Sequence, residues 1–246
     1  MRDAAILTIG NELVSGDVEN TNGSWLARRL ERVGVHVELI AAIPDDVDVI
    51  AANVREQAAL KSAVLATGGL GGTPDDVTRE GVAAAFGVGQ TEDAVQAARL
   101  REHFAGRNPE YALRWAQLPT GSRAIDNPLG GAPGFVLGNV YVLPGLPSEM
   151  EAMFDLIEDE LRTAEPILSW RRRYETTESR IITVLEEMGE RHPLVRVGSY
   201  PSFEPRREVE VVVKSSDRQA LEAAAVWIEA ALEQATEGAD SAAPTT

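Results

Sequence analysis

The fold is organised around the stretch Val64-Leu65-Ala66-Thr67-Gly68-Gly69-Leu70-Gly71-Gly72-Thr73-Pro74-Asp75-Asp76-Val77-Thr78-Arg79. Its apolar start, residues 63–66, predicts a buried strand that runs into four glycines. Glycines at such a junction let the backbone turn sharply and approach a ligand closely. Thr73 as N-cap and Pro74 as first helical residue predict a helix that begins there, with its free amides beside the glycines. The stretch therefore predicts an anion-binding site between a strand and a helix.

Two carboxylates, Asp75 and Asp76, would lie close to an anion bound there. The stretch lacks the lysine of a Walker A loop and the spacing of the dinucleotide fingerprint. A divalent cation between carboxylate and phosphate would remove their repulsion. The alternative is local: Thr73 followed by Asp76 resembles a capping box, and acids are ordinary in a first helical turn.

Strands and helices alternate before this stretch. Apolar runs predict strands at residues 4–9 and 35–43, and N-cap residues predict helices from about residue 20 to 33 and from residue 46 to about 60. This alternation indicates an α/β fold with a mostly parallel sheet and helices on both faces. Glu12, Asp45 and the pair Asp75 and Asp76 each follow a predicted strand. Because ligands bind outside the carboxyl ends of such strands, we expect these acids to converge at one edge; the alternative is a solvated acidic face.

A second strand-to-helix junction follows. A helix is predicted at residues 91–106, and Gly138-Asn139 predicts a hairpin between strands at 135–137 and 140–143. The run Pro144-Gly145-Leu146-Pro147-Ser148-Glu149-Met150 then predicts a helix from Pro147 to about residue 161. Its amides and Ser148 could face an anion, although a plain helix start gives the same pattern.

The remainder predicts a separate α+β unit. Strands at residues 171–176, 195–200 and 208–214, with helices at 179–189 and 217–234, give the order βαββα. We expect domains at 1–165 and 166–235 and a disordered tail at 236–246, where residues are small and polar.

Composition excludes several classes. The 246 residues carry a formal charge of −16, which argues against nucleic-acid and membrane partners. Cysteine is absent, so disulfides and thiolate metal sites are impossible, and three scattered histidines argue against a zinc enzyme. We expect a cytoplasmic protein that forms a homo-oligomer. Acid excess with only two lysines also fits a halophilic host, where salt screens repulsion; an ordinary acidic enzyme is the alternative.

These motifs, in the same order, resemble the molybdopterin-binding-like domain of the CinA family, in its shorter members without the amidohydrolase half. The matching segments are Gly10-Asn11-Glu12-Leu13, Asn20-Thr21-Asn22, Pro44-Asp45-Asp46, residues 67–78, Gly131-Ala132-Pro133-Gly134 and residues 143–150. The resemblance implies a three-layer α/β domain related to MogA and MoeA. It implies hydrolysis of nucleoside diphosphate-linked compounds such as ADP-ribose, with a divalent metal (Mg, Mn or Co) and potassium as cofactors.

The corresponding hypothesis is a nucleotide pyrophosphatase that releases AMP and a sugar phosphate. The expected catalytic residues are Asp45, Asp75, Asp76 and Glu12, of which the three aspartates would also bind metal. The expected substrate-binding residues are Gly68, Gly69, Leu70, Gly71, Gly72, Thr73, Thr78, Asn22, Gly145, Ser148 and Glu149. Thr78 and Ser148 are expected to donate to oxyanions.

Two other functions stay open. The same domain could bind or adenylylate molybdopterin in cofactor biosynthesis, since a fold does not fix a function. A nucleotide sensor without catalysis is the third reading. It is suggested by Asn11, which stands where the family commonly has Asp or Thr. Gly72 also replaces the family's usual proline.

Overall fold

The computed structural model describes residues 2–105, 109–163, 166–203 and 206–237. The chain divides into two compact units, residues 1–164 and 165–246. Of the predicted disordered tail, residues 236 and 237 instead end a helix, and residues 238–246 lie outside the described part.

Up to residue 86 the first unit alternates strands and helices as the apolar runs predict, and four strands then follow one another between residues 117 and 143. Its strands are β1 Arg2–Ile9, β2 Val35–Ile43, β3 Ala63–Thr67, β4 Gln90–Glu92, β5 Gln117–Pro119, β6 Arg123–Ile125, β7 Gly134–Leu137 and β8 Val140–Leu143. Its helices are α1 Asn11–Ser15, α2 Thr21–Arg32, α3 Val47–Leu60, α4 Thr78–Phe86, α5 Ala94–His103, α6 Pro109–Leu113, a 3-10 turn at Arg114–Ala116, and α7 Pro147–Leu161.

The main sheet has the strand order β2-β1-β3-β8-β7-β6. The pairs β1–β2, β1–β3 and β3–β8 are parallel, while β7 pairs antiparallel with both β8 and β6. The predicted mostly parallel sheet is thus confirmed. The hairpin is confirmed too, since Gly138 has a φ of 60° and β7 runs directly back along β8.

Helices cover both faces of this sheet because successive strand residues point to opposite sides. Ile6 belongs to a core with Leu26 of α2 and Phe154 of α7. Its neighbour Leu7 belongs to a second core with Ile50 of α3 and Val82 of α4. The site described below therefore rests on strands that are fixed from two sides.

Two helix starts follow from local capping. Asn20 Oδ1 accepts a hydrogen bond of 3.0 Å from Gly23 N, and Asp46 Oδ1 accepts from Asp48 N and Val49 N. Both starts confirm the predictions from N-cap residues. By contrast, α5 begins only after Asp93, which caps it, so the predicted start at residue 91 is wrong; residue 106 lies outside the described part.

The second unit confirms the predicted βαββα order. Its elements are β9 Leu168–Tyr174, α8 Glu178–Arg191, β10 Arg196–Ser202, β11 Glu208–Ser215 and α9 Arg218–Glu237. The strands form an antiparallel sheet in the order β10-β11-β9. Val211 and Val213 pack on Ile181 of α8 and Ile228 of α9. Among the described residues, no helix is both long enough and apolar enough to cross a bilayer.

Candidate functional site

A cavity of about 460 Å³ opens at the carboxyl ends of β1, β3 and β8. Most of the predicted site residues line it: Glu12, Asn22, Asp45, Gly68, Gly69, Leu70, Gly71, Asp75, Asp76, Gly145 and Glu149. The predicted residues Gly72, Thr73, Thr78 and Ser148 are not part of the lining. The acids expected to converge at one edge of the sheet therefore do line a common cavity there.

The floor of the cavity needs two glycines. Gly68 has a φ of 112°, and a Cβ there would lie 2.0 Å from the carbonyl oxygen of Ile9. Gly69 has a φ of 62°, and its Cβ would lie 2.2 Å from Thr78 Oγ1 and 3.1 Å from Asp45 Oδ1. Side chains are excluded at both positions, so only backbone faces a ligand here.

The helix after the glycines does not begin at Thr73 and Pro74, as the sequence predicts, but at Thr78. Residues 70–77 instead form a loop that Asp76 closes. Its Oδ1 accepts a hydrogen bond of 2.9 Å from Gly71 N, and its Oδ2 accepts one of 2.8 Å from Thr73 N. One of the two capping-box bonds is present, from Thr73 N to the Asp76 side chain, but it closes a loop and does not start a helix.

Thr78 fixes the other side of the loop. Its side chain is fully buried, and Oγ1 donates a hydrogen bond of 2.9 Å to Gly68 O. The predicted role as an oxyanion donor is wrong for this position, because the hydroxyl is used inside the protein. Ser148 likewise lies outside the cavity lining, so the structure does not support an oxyanion contact there.

Arg79 is a site-forming residue that the sequence analysis missed. Its side chain is only 4% exposed, and its guanidinium donates to Leu70 O and Gly71 O at 2.8 Å each. Burial lowers the pKa of this arginine from its ordinary value. A signal was present, since Arg79 lies three and four residues before the buried Val82 and Ala83, on the apolar side of the helix.

Asp45 is held in place by Asn11. Its Oδ2 accepts a hydrogen bond of 2.8 Å from Asn11 N, and Asn11 Oδ1 accepts one of 3.3 Å from Asp45 N. Burial raises the pKa of Asp45, and repulsion by Glu12, Asp75 and Asp76 raises it further, although the Asn11 hydrogen bond opposes the shift. Asn11 therefore positions Asp45 with its backbone amide and its amide oxygen.

Asp75 differs from Asp45 in its surroundings. It is exposed, and the hydroxyl of Thr73 donates to its Oδ1. This hydrogen bond lowers the pKa of Asp75. The pKa values of Asp45 and Asp75 are thus shifted in opposite directions.

The second strand-to-helix junction lines the cavity beside the glycine loop, since a Cβ on Gly145 would lie 3.2 Å from Gly68 Cα. Asn22 Nδ2 donates to Gly145 O at 2.8 Å and to Thr67 Oγ1 at 3.3 Å. Thr67 Oγ1 donates to Pro144 O at 2.6 Å. Glu149 accepts a hydrogen bond of 3.0 Å from Asn127 Nδ2. These contacts join α2, β3 and the start of α7 into one wall.

The charged side chains that line the cavity are all acidic. The described residues of the lining include no lysine, arginine or histidine, and their acids are Glu12, Glu19, Asp45, Asp75, Asp76 and Glu149. No cluster of three or more His, Cys, Asp or Glu side chains in the described ranges has the arrangement of a metal cage. One or two of these carboxylates could still share a Mg²⁺ ion with substrate phosphates, which is how this ion usually binds. The donor set fits that mode.

Known proteins match both units. Residues 5–163 match the family described as "Probable molybdopterin binding domain", and residues 168–239 match "FAD synthase, middle domain". A protein of Archaeoglobus fulgidus is 38% identical over 198 residues, which cover 80% of this chain and 84% of that protein. A CinA-like protein of Frankia casuarinae is 39% identical over 214 residues, 80% of this chain and 49% of that protein. This chain therefore spans about half of the Frankia relative.

A solved structure resembles the first unit. It is the crystal structure of the protein CinA, with unknown function, from Thermoplasma acidophilum. The TM-score is 0.61 at 34% identity, and the match covers 65% of this chain and 98% of that one.

Proposed function

Since the chain belongs to the CinA family of molybdopterin-binding-like domain proteins, we propose that its cavity hydrolyses a nucleoside diphosphate-linked compound such as ADP-ribose. The observation that carries this proposal is the pairing of a backbone-lined glycine loop with carboxylates at one cavity. A phosphate group needs donors and charge compensation, and a hydrolytic step needs a base. The described residues offer the donors and the base.

The donors are backbone amides of the glycine loop. Gly69 and Leu70 line the cavity, and within the described residues neither amide donates a hydrogen bond to the protein. Gly71 N and Thr73 N differ because Asp76 accepts from both. Phosphate oxygens are therefore expected to be held by Gly69 and Leu70, while Asp76 keeps the loop in shape.

The base is Asp45. Its raised pKa makes it a better proton acceptor than an exposed aspartate, and Asn11 fixes its orientation. In the proposed step, a water oxygen attacks one phosphorus and its proton passes to Asp45. The bond from that phosphorus to the bridging oxygen breaks, and this oxygen leaves on the other phosphate. The products of ADP-ribose would be AMP and ribose 5-phosphate.

The described residues that line the cavity include no basic side chain, so phosphate charge must be balanced by a bound cation. A divalent ion would neutralise this charge and lower the pKa of its water. Asp75 would hold it, with Glu12 beside it, because Asp45 acts as the base and Asp76 already accepts hydrogen bonds on both oxygens. Potassium, which the family resemblance implies, is part of the same proposal.

The test compares two neighbouring aspartates. Asp45 lines the cavity, whereas Asp46 caps α3 through Asp48 N and is outside the lining. With Mg²⁺, Mn²⁺ or Co²⁺ plus potassium, AMP release from ADP-ribose should fall about 100-fold or more in Asp45→Asn. Asp46→Asn should retain activity, since asparagine is an equally good N-cap. No AMP release by the wild type in any metal, or equal activity in Asp45→Asn, would refute the proposal.

A second function is favoured by the family match of residues 5–163. The cavity would then bind molybdopterin, or take part in its adenylylation, and the same loop would hold the pterin's phosphate. Titration with molybdopterin, beside the ADP-ribose assay, separates the two. Tight pterin binding without AMP release would favour this second function, and nucleotide binding without turnover would favour a sensor.

A further inference from the structure

Trp115 supplies the cavity with an aromatic surface. It is half-buried and is the one aromatic side chain among the described residues of the lining. The lining near the cavity mouth also includes the apolar side chains of Val18 and Leu146, which are 52% and 58% exposed. The cavity therefore combines a polar, acidic floor with an apolar part that phosphate chemistry does not use.

Two aromatic neighbours fix the indole. Phe104 packs against it in a T-shaped contact with ring centres 5.4 Å apart, and Tyr111 does so at 5.7 Å. T-shaped contacts hold the orientation of a ring as well as its position. Trp115 is thus a rigid surface and loses little freedom when a ligand binds.

The aromatic cluster also touches the glycine loop. A Cβ on Gly72 would lie 2.6 Å from Cζ of the Tyr111 ring. Gly72 therefore makes room for Tyr111, which in turn supports Trp115. The glycine loop, which would hold the phosphate, is thus connected to the Trp115 indole through the ring of Tyr111.

We infer that Trp115 is the stacking platform for a planar heteroaromatic ring of the ligand and so determines specificity for ligands that carry such a ring. The inference rests on one part of the proposed function, namely that the glycine loop binds a phosphate group. It does not require hydrolysis. A nucleobase and a pterin share the required chemistry, because each is a flat π-system attached to a phosphate group. Stacking recognises the face of a ring and is tolerant of its identity, so this residue selects for the presence of a ring.

Binding measurements test the inference without requiring turnover. Calorimetry would compare AMP, molybdopterin and ribose 5-phosphate, which carries the phosphate without a ring, on the wild type and on Trp115→Leu and Trp115→Phe. The control is Trp227→Leu, since Trp227 belongs to the second unit and is outside the cavity lining. Thermal melts of all variants check that each is folded.

We expect Trp115→Leu to weaken at least one ring-bearing probe about 5- to 100-fold, and Trp115→Phe to weaken it less than about 5-fold. Ribose 5-phosphate should bind equally to all variants. The AMP and molybdopterin arms show which ring the cavity takes. An equal loss for ribose 5-phosphate, no loss for either ring-bearing probe, or a wild type that binds neither of them would overturn the inference. A protein that binds AMP through Trp115 but releases none from ADP-ribose would refute only the hydrolysis.

Discussion

The guanidinium of Arg79 donates a hydrogen bond of 2.8 Å from Nη1 to the carbonyl oxygen of Leu70. A second bond of the same length runs from Nη2 to Gly71 O. A charged side chain from the first turn of α4 thereby fixes the carbonyls of the preceding loop. The shape of the phosphate-facing backbone thus depends on a buried residue that is outside the cavity lining.

Arg79→Met should lower the free energy of unfolding by about 2–4 kcal/mol, because the buried carbonyl oxygen of Leu70 and the partly buried one of Gly71 lose a charged donor. Urea unfolding would measure this. The control is Arg123→Met, an arginine whose side chain is 55% exposed and paired with Glu160, with an expected loss below about 1 kcal/mol. Equal losses in the two variants would contradict the role given to Arg79.

Asp76→Asn should open the glycine loop, since an asparagine amide cannot accept hydrogen bonds at both Gly71 N and Thr73 N. We expect faster hydrogen exchange of the Gly71 and Thr73 amides with no metal present, together with weaker nucleotide binding. Asp75→Asn is the matched control, because within the described residues Asp75 accepts from the Thr73 hydroxyl and from neither Gly71 N nor Thr73 N. Unchanged exchange in Asp76→Asn, together with weaker Mg²⁺ binding, would instead make Asp76 a metal ligand.

Gly68→Ala should be among the most destabilising alanine substitutions of the site. Its Cβ would collide with the backbone oxygen of Ile9, which cannot move without breaking β1. Gly16→Ala is the control, since Gly16 has a φ of 82° but no atom within 4 Å of its Cβ position. We expect about 1–2 kcal/mol of strain for Gly16→Ala and several kcal/mol for Gly68→Ala. Similar melting temperatures for the two variants would be inconsistent with this close approach.

Asp3 should contribute stability that depends on pH. Its Oδ1 accepts hydrogen bonds from Ser62 Oγ and Ser62 N, which lower the pKa of Asp3 in the folded protein. A carboxyl whose folded pKa lies below its unfolded value of about 3.9 stabilises the protein above that pH, and the contribution disappears as pH falls. The difference in unfolding free energy between wild type and Asp3→Asn should therefore be full at pH 6 and shrink below about pH 4. A difference that is independent of pH would contradict this.

Salt should stabilise the protein. The formal charge of −16 makes surface acids repel one another in dilute buffer, where the Debye length is about 30 Å at 0.01 M. Molar KCl shortens this length to about 3 Å, so the melting temperature should rise along a KCl series. A parallel NaCl series separates screening from a specific need for potassium. A flat or falling melting temperature in KCl would rule out the high-salt adaptation.

The sequence by itself determined the order of the long elements and several of their ends, whereas the short elements α1, β4, β5, β6 and α6 were not predicted. Apolar runs gave β2 its bounds, Val35–Ile43, and side-chain caps at Asn20 and Asp46 gave the starts of α2 and α3. These features could be predicted because they depend on neighbours within a few residues. The placement of acids after buried strands likewise follows from local pattern, since parallel strands end at one sheet edge.

Only the tertiary structure decided how the glycine loop is held. Thr73 and Pro74 are residues that commonly start a helix, yet the helix starts at residue 78. Asp76 accepts hydrogen bonds from amides of the loop, and Thr78 and Arg79 donate to its carbonyl oxygens. The same holds for Trp115, which reaches the cavity because Phe104 and Tyr111 pack around it. Contacts such as Arg79 with Leu70 and Thr78 with Gly68 join residues that are nine and ten positions apart, a spacing that no local pattern predicts. Their energy comes from burial and hydrogen bonding that exist only once the sheet has formed.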